Sequence, residues 1–148
     1  MGKRSRAREL AVQVLFHLEF SAGDPNKAFD LICEAFAPPA AIRDFSRELV
    51  LGVWEGKENL DRLISRSSTN WRLERMSHVD RNILRLAAYE VHFMKDIPPK
   101  VTIDEAVELG KKFGTEDSGA FINGVLDNIY NHLQSERAKD DGLVKSRK

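Results

Sequence analysis

The chain has 148 residues, 42% of them hydrophobic and 31% charged, which suits one domain or two small subdomains that share a core. It carries 23 lysines and arginines against 23 aspartates and glutamates, and this zero net charge argues against wholesale nonspecific polyelectrolyte binding. No apolar run approaches the roughly 18 residues of a membrane helix, and polar residues interrupt the N-terminal apolar residues too often for a signal peptide.

The first half of the chain has the periodicity of helices. Apolar residues three and four positions apart predict an amphipathic helix over 4–20. Asp24 can cap a second helix, in which Pro25 takes the first position and which the prolines at 38–39 end. A long third helix is expected from about Ala41 to Ser67, with two glycines weakening its middle.

The second half predicts three further helices. Ser77 caps one that stops before the "IPP" stretch at 97–99. Thr102 begins the next, with Glu105 three residues on in a capping-box pattern, and Gly114 ends it as a C-terminal cap.

The last helix is expected to begin at a Thr115 cap and to pack closely on a neighbour at Gly124. The folded domain is then expected to span 1–134, and the charged segment 135–148 to be disordered. The sequence has neither hairpin chemistry nor an internal repeat. The predicted fold class is therefore all-α.

The sequence lacks a motif for catalysis, metal binding or a cofactor. The four histidines share no metal-ligand spacing with one another or with Cys33. Cys33 is the single cysteine, so it cannot form an internal disulfide, and it suits a reducing cytoplasm. Glycine-rich phosphate loops and nucleophile elbows are absent too. We therefore expect a protein that is not an enzyme and that has no cofactor or metal.

The first helix begins with a concentration of positive charge, at Lys3, Arg4, Arg6 and Arg8. Arg4 and Arg8 are one turn apart on one helix face. Each cation at a helix N-terminus is disfavoured by about 0.3–1 kcal/mol, and an anionic ligand would reverse that effect. Arginine also suits bidentate phosphate contacts and stacking on bases. The sequence physics alone leaves two alternatives open, a phosphate-binding turn and an incidental solvated one.

The opposite end of the chain is acidic. Residues 101–133 contain two lysines and six carboxylates, a local net charge of −4. A basic N-terminus and an acidic C-terminal half predict two kinds of partner, one anionic and one basic. Gln13 and Phe16 lie beside the apolar stripe of the first helix, which indicates either a broad buried face or the edge of a binding surface.

Three segments, "RARELAVQVLF", "VDRNILRLAAYEV" and "IDEAVELGKKFGTEDSGAFINGVLD", resemble the NusB family of transcription antitermination factors in their order and spacing. The resemblance implies about seven helices in two small packed bundles. It also implies binding to the single-stranded boxA element of ribosomal RNA leader transcripts, as a heterodimer with the small-subunit ribosomal protein NusE. The pair would join RNA polymerase and other Nus factors, away from any membrane, and would suppress premature termination.

The resemblance assigns residues to both interfaces. The RNA contacts it implies are the basic residues of the first helix and two residues of the "EDSGAF" segment: Lys3, Arg4, Arg6, Arg8, Asp117 and Phe121. The NusE contacts it implies are Phe16, Glu74 and Asp80. Three positions depart from common family residues: Ser5 replaces an arginine, Phe16 replaces a tyrosine, and Asp80 is shorter than the usual glutamate.

Three rival interpretations come from other classes of protein. NusB-like domains also precede ribosomal RNA cytosine methyltransferase modules, but the sequence after residue 134 is too short for such a module, so we expect a stand-alone factor. A purely structural helical bundle is the second rival. DNA binding through a helix-turn-helix is the third, and the compact turn it needs is absent. A homodimer that covers the basic helix is a further hypothesis.

Overall fold

The computed structural model describes residues 2–21, 23–68 and 71–146, with side chains described as far as Lys139. Within these ranges there are seven α-helices, one 3₁₀ turn at Leu73–Arg75 and no strand, which confirms the all-α prediction. The helices are α1 Lys3–Phe20, α2 Pro25–Phe36, α3 Ala40–Glu55, α4 Lys57–Ser67, α5 His78–Phe93, α6 Pro99–Phe113 and α7 Ser118–Ser146. None of the described helices is long and apolar enough to cross a membrane.

Helix α5 is the centre of the molecule. It packs against α1 and α3 on one side and against α4, α6 and α7 on the other. Helices α1, α2 and α3 also pack on one another, and α7 packs against both α4 and α6. The seven residues 82–88 of α5 are all buried. Two small bundles therefore share one apolar core, as the family resemblance implied.

Two of the predicted helix starts are confirmed by their caps. The Asp24 carboxylate accepts a hydrogen bond from the Asn26 amide at 2.9 Å, and the Ser77 hydroxyl accepts one from the Asp80 amide at 3.0 Å. The prediction of one long third helix is wrong. Gly56 separates α3 from α4, because glycine has a low helix propensity and ordering its backbone in a helix costs more entropy than for other residues.

The capping-box prediction at Thr102 is also wrong. Helix α6 begins three residues earlier, at Pro99, because a proline is well suited to a first helical position. Thr102 is consequently buried within the helix, and the Glu105 carboxylate accepts a hydrogen bond from Ser5 of α1 instead of capping its own helix. The last helix begins at Ser118 rather than after a Thr115 cap.

Helix α7 continues to Ser146, past the residue at which the folded domain was expected to end. Leu133 is the last buried residue of the described side chains, and residues 134–139 are all exposed. The core thus ends where the apolar pattern ends, while the backbone stays helical beyond it. Residues 147 and 148 lie outside the described ranges. The division into a domain at 1–134 and a separate tail stays a prediction.

Two glycines in the C-terminal half differ in their surroundings. A Cβ atom on Gly114 would lie 2.8 Å from the Gly110 carbonyl oxygen and 2.7 Å from the Ser118 Cβ atom. Gly114 ends α6, as predicted. Its φ of −97° is not left-handed, so glycine is required there because of this close approach and not because of the backbone conformation. Gly124, in contrast, has nothing within 4 Å of such an atom, so the predicted close packing there is wrong.

We therefore expect alanine to have opposite effects at these positions. Gly114→Ala should lower the free energy of unfolding by about 1–3 kcal/mol, because backbone atoms must move to admit the methyl group. Gly124→Ala should raise it by about 0.5–1 kcal/mol, because alanine loses less backbone entropy in a helix. Urea denaturation measures both changes. Equal effects in the two variants would contradict the packing described for Gly114.

Candidate functional site

The first turn of α1 presents exposed positive charge. The side chains of Lys3, Arg4 and Arg6 are exposed, no acidic residue lies in this turn, and the N-cap residue Gly2 has no side chain to cap it. The helix dipole places its positive end at the same point. The cations and the dipole together make this end of α1 electrostatically favourable for an anion, within a chain of zero net charge.

Arg4 is held in place by two neighbours. Its guanidinium carbon lies 5.1 Å from the centre of the Phe45 ring of α3, and a guanidinium nitrogen lies 3.7 Å from the Asp96 carboxylate. Both members of the ion pair are more than half exposed, with 55% and 72% of the side-chain surface accessible. The pair is therefore weak, and a phosphate group can compete for the guanidinium.

Arg8 is not part of this exposed surface, which corrects the sequence prediction. Its side chain is 3% exposed, and its Nε and Nη2 atoms donate hydrogen bonds to the Glu90 carboxylate of α5 at 2.7–3.0 Å. Glu90 is itself 1% exposed. Burial raises the pKa of the Glu90 carboxyl, and the guanidinium opposes that effect. Arg8 anchors α1 to the core and has no free face for RNA.

Helix α6 makes further polar contacts with α1. Ser5 donates a hydrogen bond to Glu105 at 2.8 Å, and Lys112 pairs with Glu9 at 2.9 Å. Glu105 and Lys112, two charged residues of the acidic C-terminal half, thus have partners within the molecule. The basic turn ends at Arg6.

The predicted RNA contacts Asp117 and Phe121 lie at the other end of the molecule. They line a groove together with Trp71 and Asp80, beside the N-terminus of α5. Arg8 meets α5 near its C-terminus, and this 16-residue helix is about 24 Å long. The structure therefore separates the basic turn from the Asp117 groove instead of joining them in one pocket.

Sequence reasoning missed the role of Trp71 in this groove. Its ring meets that of Phe121 edge-on at 6.1 Å between centroids, and the tryptophan is 55% exposed. Trp71 lies between the predicted third helix and the helix that Ser77 caps, in a stretch with no periodic apolar pattern. The available signal was the presence of so large an apolar side chain in a polar loop.

The predicted NusE contacts gather at the start of α5. Phe16 is 38% exposed and contacts Phe20, with ring centroids 5.1 Å apart, and the Phe20 ring lies 4.7 Å from that of His78. Asp80 follows in the first turn of α5, and Glu74 is exposed in the preceding 3₁₀ turn. The structure thus adds Phe20 and His78 to an apolar patch with acidic neighbours.

A second polar cluster fixes this end of α1. Arg85 of α5 is 4% exposed and donates hydrogen bonds to Glu19 at 2.6 Å and to Asp61 of α4 at 2.7 and 3.0 Å. Although burial alone would raise the pKa of Glu19, hydrogen bonds from His78 and Arg85 lower it below its ordinary value. Among the described residues, no group of three histidine, cysteine or acidic side chains could hold a metal ion.

The sequence and the fold are both similar to those of known proteins. The model of the NusB family matches residues 5–131. The transcription antitermination protein NusB of Desulfatibacillum aliphaticivorans is 52% identical over 136 residues, which cover 92% of this chain and 95% of that protein. A structure of T. maritima NusB is 43% identical, with a TM-score of 0.81, over 86% of this chain and 90% of its own.

A further solved structure contains two proteins and a nucleic acid. It is a crystal structure of the antitermination factors NusB and NusE in complex with dsRNA. The matched chain has a TM-score of 0.81 and 29% identity, over 88% of this chain and 97% of its own. The similarity thus extends to a protein seen with a protein partner and RNA.

The buried ion pair generates a prediction about stability. Arg8→Ala should lower the free energy of unfolding by about 3–5 kcal/mol, because it leaves the Glu90 carboxylate buried without a partner. The double variant Arg8→Met/Glu90→Leu removes both charges and should recover most of that loss. Arg4→Ala, at the exposed position one turn earlier, is the control and should change stability by at most about 0.5 kcal/mol. Urea denaturation in which Arg8→Ala is as mild as Arg4→Ala would refute the anchoring role.

Proposed function

The chain belongs to the NusB family and is a transcription antitermination factor, not an enzyme, and from that premise we propose that it binds the boxA element of ribosomal RNA leader transcripts together with NusE. NusE is a small-subunit ribosomal protein. In this proposal the pair acts in the cytoplasm with RNA polymerase and other Nus factors, and it suppresses premature termination. The RNA-binding domain is proposed to be residues 1–134.

The observation that carries the RNA part of the proposal is the exposed basic turn. Lys3, Arg4 and Arg6 project from the positive end of the α1 dipole, with no carboxylate in the turn. Three cations in such a place repel one another and gain from a polyanion. Arginine adds the planar fork that matches a phosphate group. These groups are proposed to neutralise the RNA backbone.

The Asp117 groove is proposed to contact RNA bases. Single-stranded RNA is recognised by stacking of unpaired bases on aromatic rings and by hydrogen bonds to base edges. Phe121 and Trp71 offer two exposed or half-exposed aromatic rings at 6.1 Å, and the Asp117 carboxylate can accept a hydrogen bond from a base amino group. An RNA strand that reaches both the groove and the basic turn must span about 24 Å, the length of α5.

The patch at the start of α5 is proposed to bind NusE. Phe16, Phe20 and His78 offer an exposed apolar and aromatic contact, of the kind enriched at protein interfaces. Glu74 and Asp80 add negative charge that complements a basic ribosomal protein. Asp80 also lines the Asp117 groove, so NusE and RNA would bind side by side at this end of α5.

The salt dependence of RNA affinity tests the basic turn. With about three phosphates neutralised, the logarithm of the association constant should fall with the logarithm of salt at a slope near −2 for a single strand. The double variant Arg4→Ala/Arg6→Ala should reduce this slope to about −0.7. Fluorescence anisotropy of labelled boxA RNA, with NusE present, measures both slopes.

Two controls accompany that titration. Arg62→Ala removes an exposed arginine of α4, and it should leave the slope unchanged. Scrambled and duplex RNAs of the same length test whether the protein prefers a single-stranded sequence. Equal slopes in the wild type and the Arg4→Ala/Arg6→Ala variant would show that the basic turn does not contact the backbone.

A charge reversal tests the protein interface. Asp80→Lys should weaken NusE binding at least about tenfold, because it places a cation against a basic partner. Glu58→Lys reverses an exposed charge in the first turn of α4, a matched position with the same relation to a helix dipole, and should leave the affinity unchanged. Isothermal titration calorimetry measures both affinities. A similar loss in the two variants would remove Asp80 from the interface.

A further inference from the structure

A groove beside the basic turn shares Arg6 with that turn and is separate from the Asp117 groove and from the patch of Phe16, Phe20 and His78. It lies between α1 and the connection from α2 to α3. Arg6, Leu10 and Gln13 form its α1 wall, and Phe36, Pro38 and Ile42 line the opposite side. Ile42 is buried and forms part of the floor, whereas the Phe36 ring is 60% exposed. The groove is thus apolar at its base and carries an exposed aromatic ring.

We infer that this groove holds one nucleotide of the bound RNA, with its base on the Phe36 ring, its base edge near the Gln13 amide and its phosphate on Arg6. The inference rests on the proposed RNA-binding function and extends it to a residue outside the basic turn. An aromatic ring, an amide and an arginine fork are the three groups that recognise an unpaired base, its edge and its phosphate.

The charge of the groove selects RNA over other occupants. Arg6 is exposed at the groove and continues the positive surface of Lys3 and Arg4. The carboxylate that lines the groove belongs to Glu9, and Lys112 neutralises it at 2.9 Å. A basic partner such as NusE would meet an uncompensated cation there. A polyanion already held by the first turn of α1 enters the groove with favourable electrostatics.

The backbone that carries Phe36 forms a rigid corner. Ala37 ends α2 in the left-handed conformation, with a φ of 43°, and its amide donates a hydrogen bond to the Cys33 carbonyl at 2.7 Å. Two prolines follow at 38 and 39, and their rings fix the backbone φ angle. Because this backbone is already ordered, only the side-chain torsions of Phe36 lose freedom when a base stacks on its ring.

Gln13 gains a role that the sequence left open. It lies off the main apolar stripe of α1 and is half-buried on the groove wall, two turns beyond Arg6. An amide offers one acceptor and two donors, which suits the edge of a single base. The groove therefore contributes base preference as well as affinity.

The test compares two exposed apolar residues of α2. Phe36→Ala should weaken binding of labelled boxA RNA by roughly 5- to 150-fold, the effect of losing one base–aromatic stack. Leu31→Ala is the matched control, because Leu31 is 57% exposed on the same helix and does not line the groove. Phe36→Trp should retain the affinity, since it keeps an aromatic face. Fluorescence anisotropy in the presence of NusE measures each variant.

A series of RNAs with one abasic position each locates the nucleotide. Removal of the base at one position should weaken RNA binding by the wild type but should not weaken binding by Phe36→Ala any further, as a double-mutant cycle requires of two groups in contact. Gln13→Ala should alter the base preference at that same position. Abasic effects that are identical in the wild type and Phe36→Ala would overturn the inference, and so would equal losses in Phe36→Ala and Leu31→Ala.

Two other results separate this inference from the proposed function. Strong RNA binding by the wild type that Phe36→Ala leaves unchanged would overturn the groove alone. An absence of RNA binding by the wild type would overturn both. Weaker NusE binding by Phe36→Ala, measured without RNA, would assign the groove to the protein partner and likewise overturn the inference.

Discussion

The ion pair between Arg8 and Glu90 determines how α1 is placed on the rest of the protein. Both side chains are almost completely buried, and the guanidinium makes three hydrogen bonds with one carboxylate. A buried charge without its partner is strongly destabilising, so only one rotation and one register of α1 on α5 satisfy both groups. That register leaves Lys3, Arg4 and Arg6 in solvent.

A second polar cluster fixes the other end of the same helix pair. Arg85, midway along α5, joins Glu19 of α1 to Asp61 of α4. Helices α1 and α5 are antiparallel, and the Arg8–Glu90 pair and the Arg85 cluster join them at two places. The surfaces beside these two contacts therefore have defined positions. The basic turn lies beside the Arg8–Glu90 pair. The patch of Phe16, Phe20 and His78 and the Asp117 groove lie towards the Arg85 cluster. The proposed RNA and protein interfaces therefore depend on buried ion pairs that do not themselves contact RNA or NusE.

The sequence predicts much of this architecture, and the exceptions have physical causes. Caps at Asp24 and Ser77 are local interactions, so their residue types predict them. The burial of Arg8 depends on a long-range interaction, because its partner Glu90 is 82 positions away. The spacing of Arg8 from Arg4 shows only that both lie on one helix face. Trp71 likewise acquires its role through a long-range contact with Phe121. Residues whose role depends on another helix are those that the sequence pattern assigned wrongly or missed.

The most direct test of this account separates anchoring from RNA contact. The measurement is the boxA RNA affinity of the Arg8→Met/Glu90→Leu variant, with NusE present, under conditions in which circular dichroism shows it folded. The affinity should stay within about threefold of the wild type, because an anchor replaced by apolar packing still leaves the first turn exposed. A loss as large as that of Arg4→Ala/Arg6→Ala would contradict it, and would return Arg8 to the RNA-binding surface.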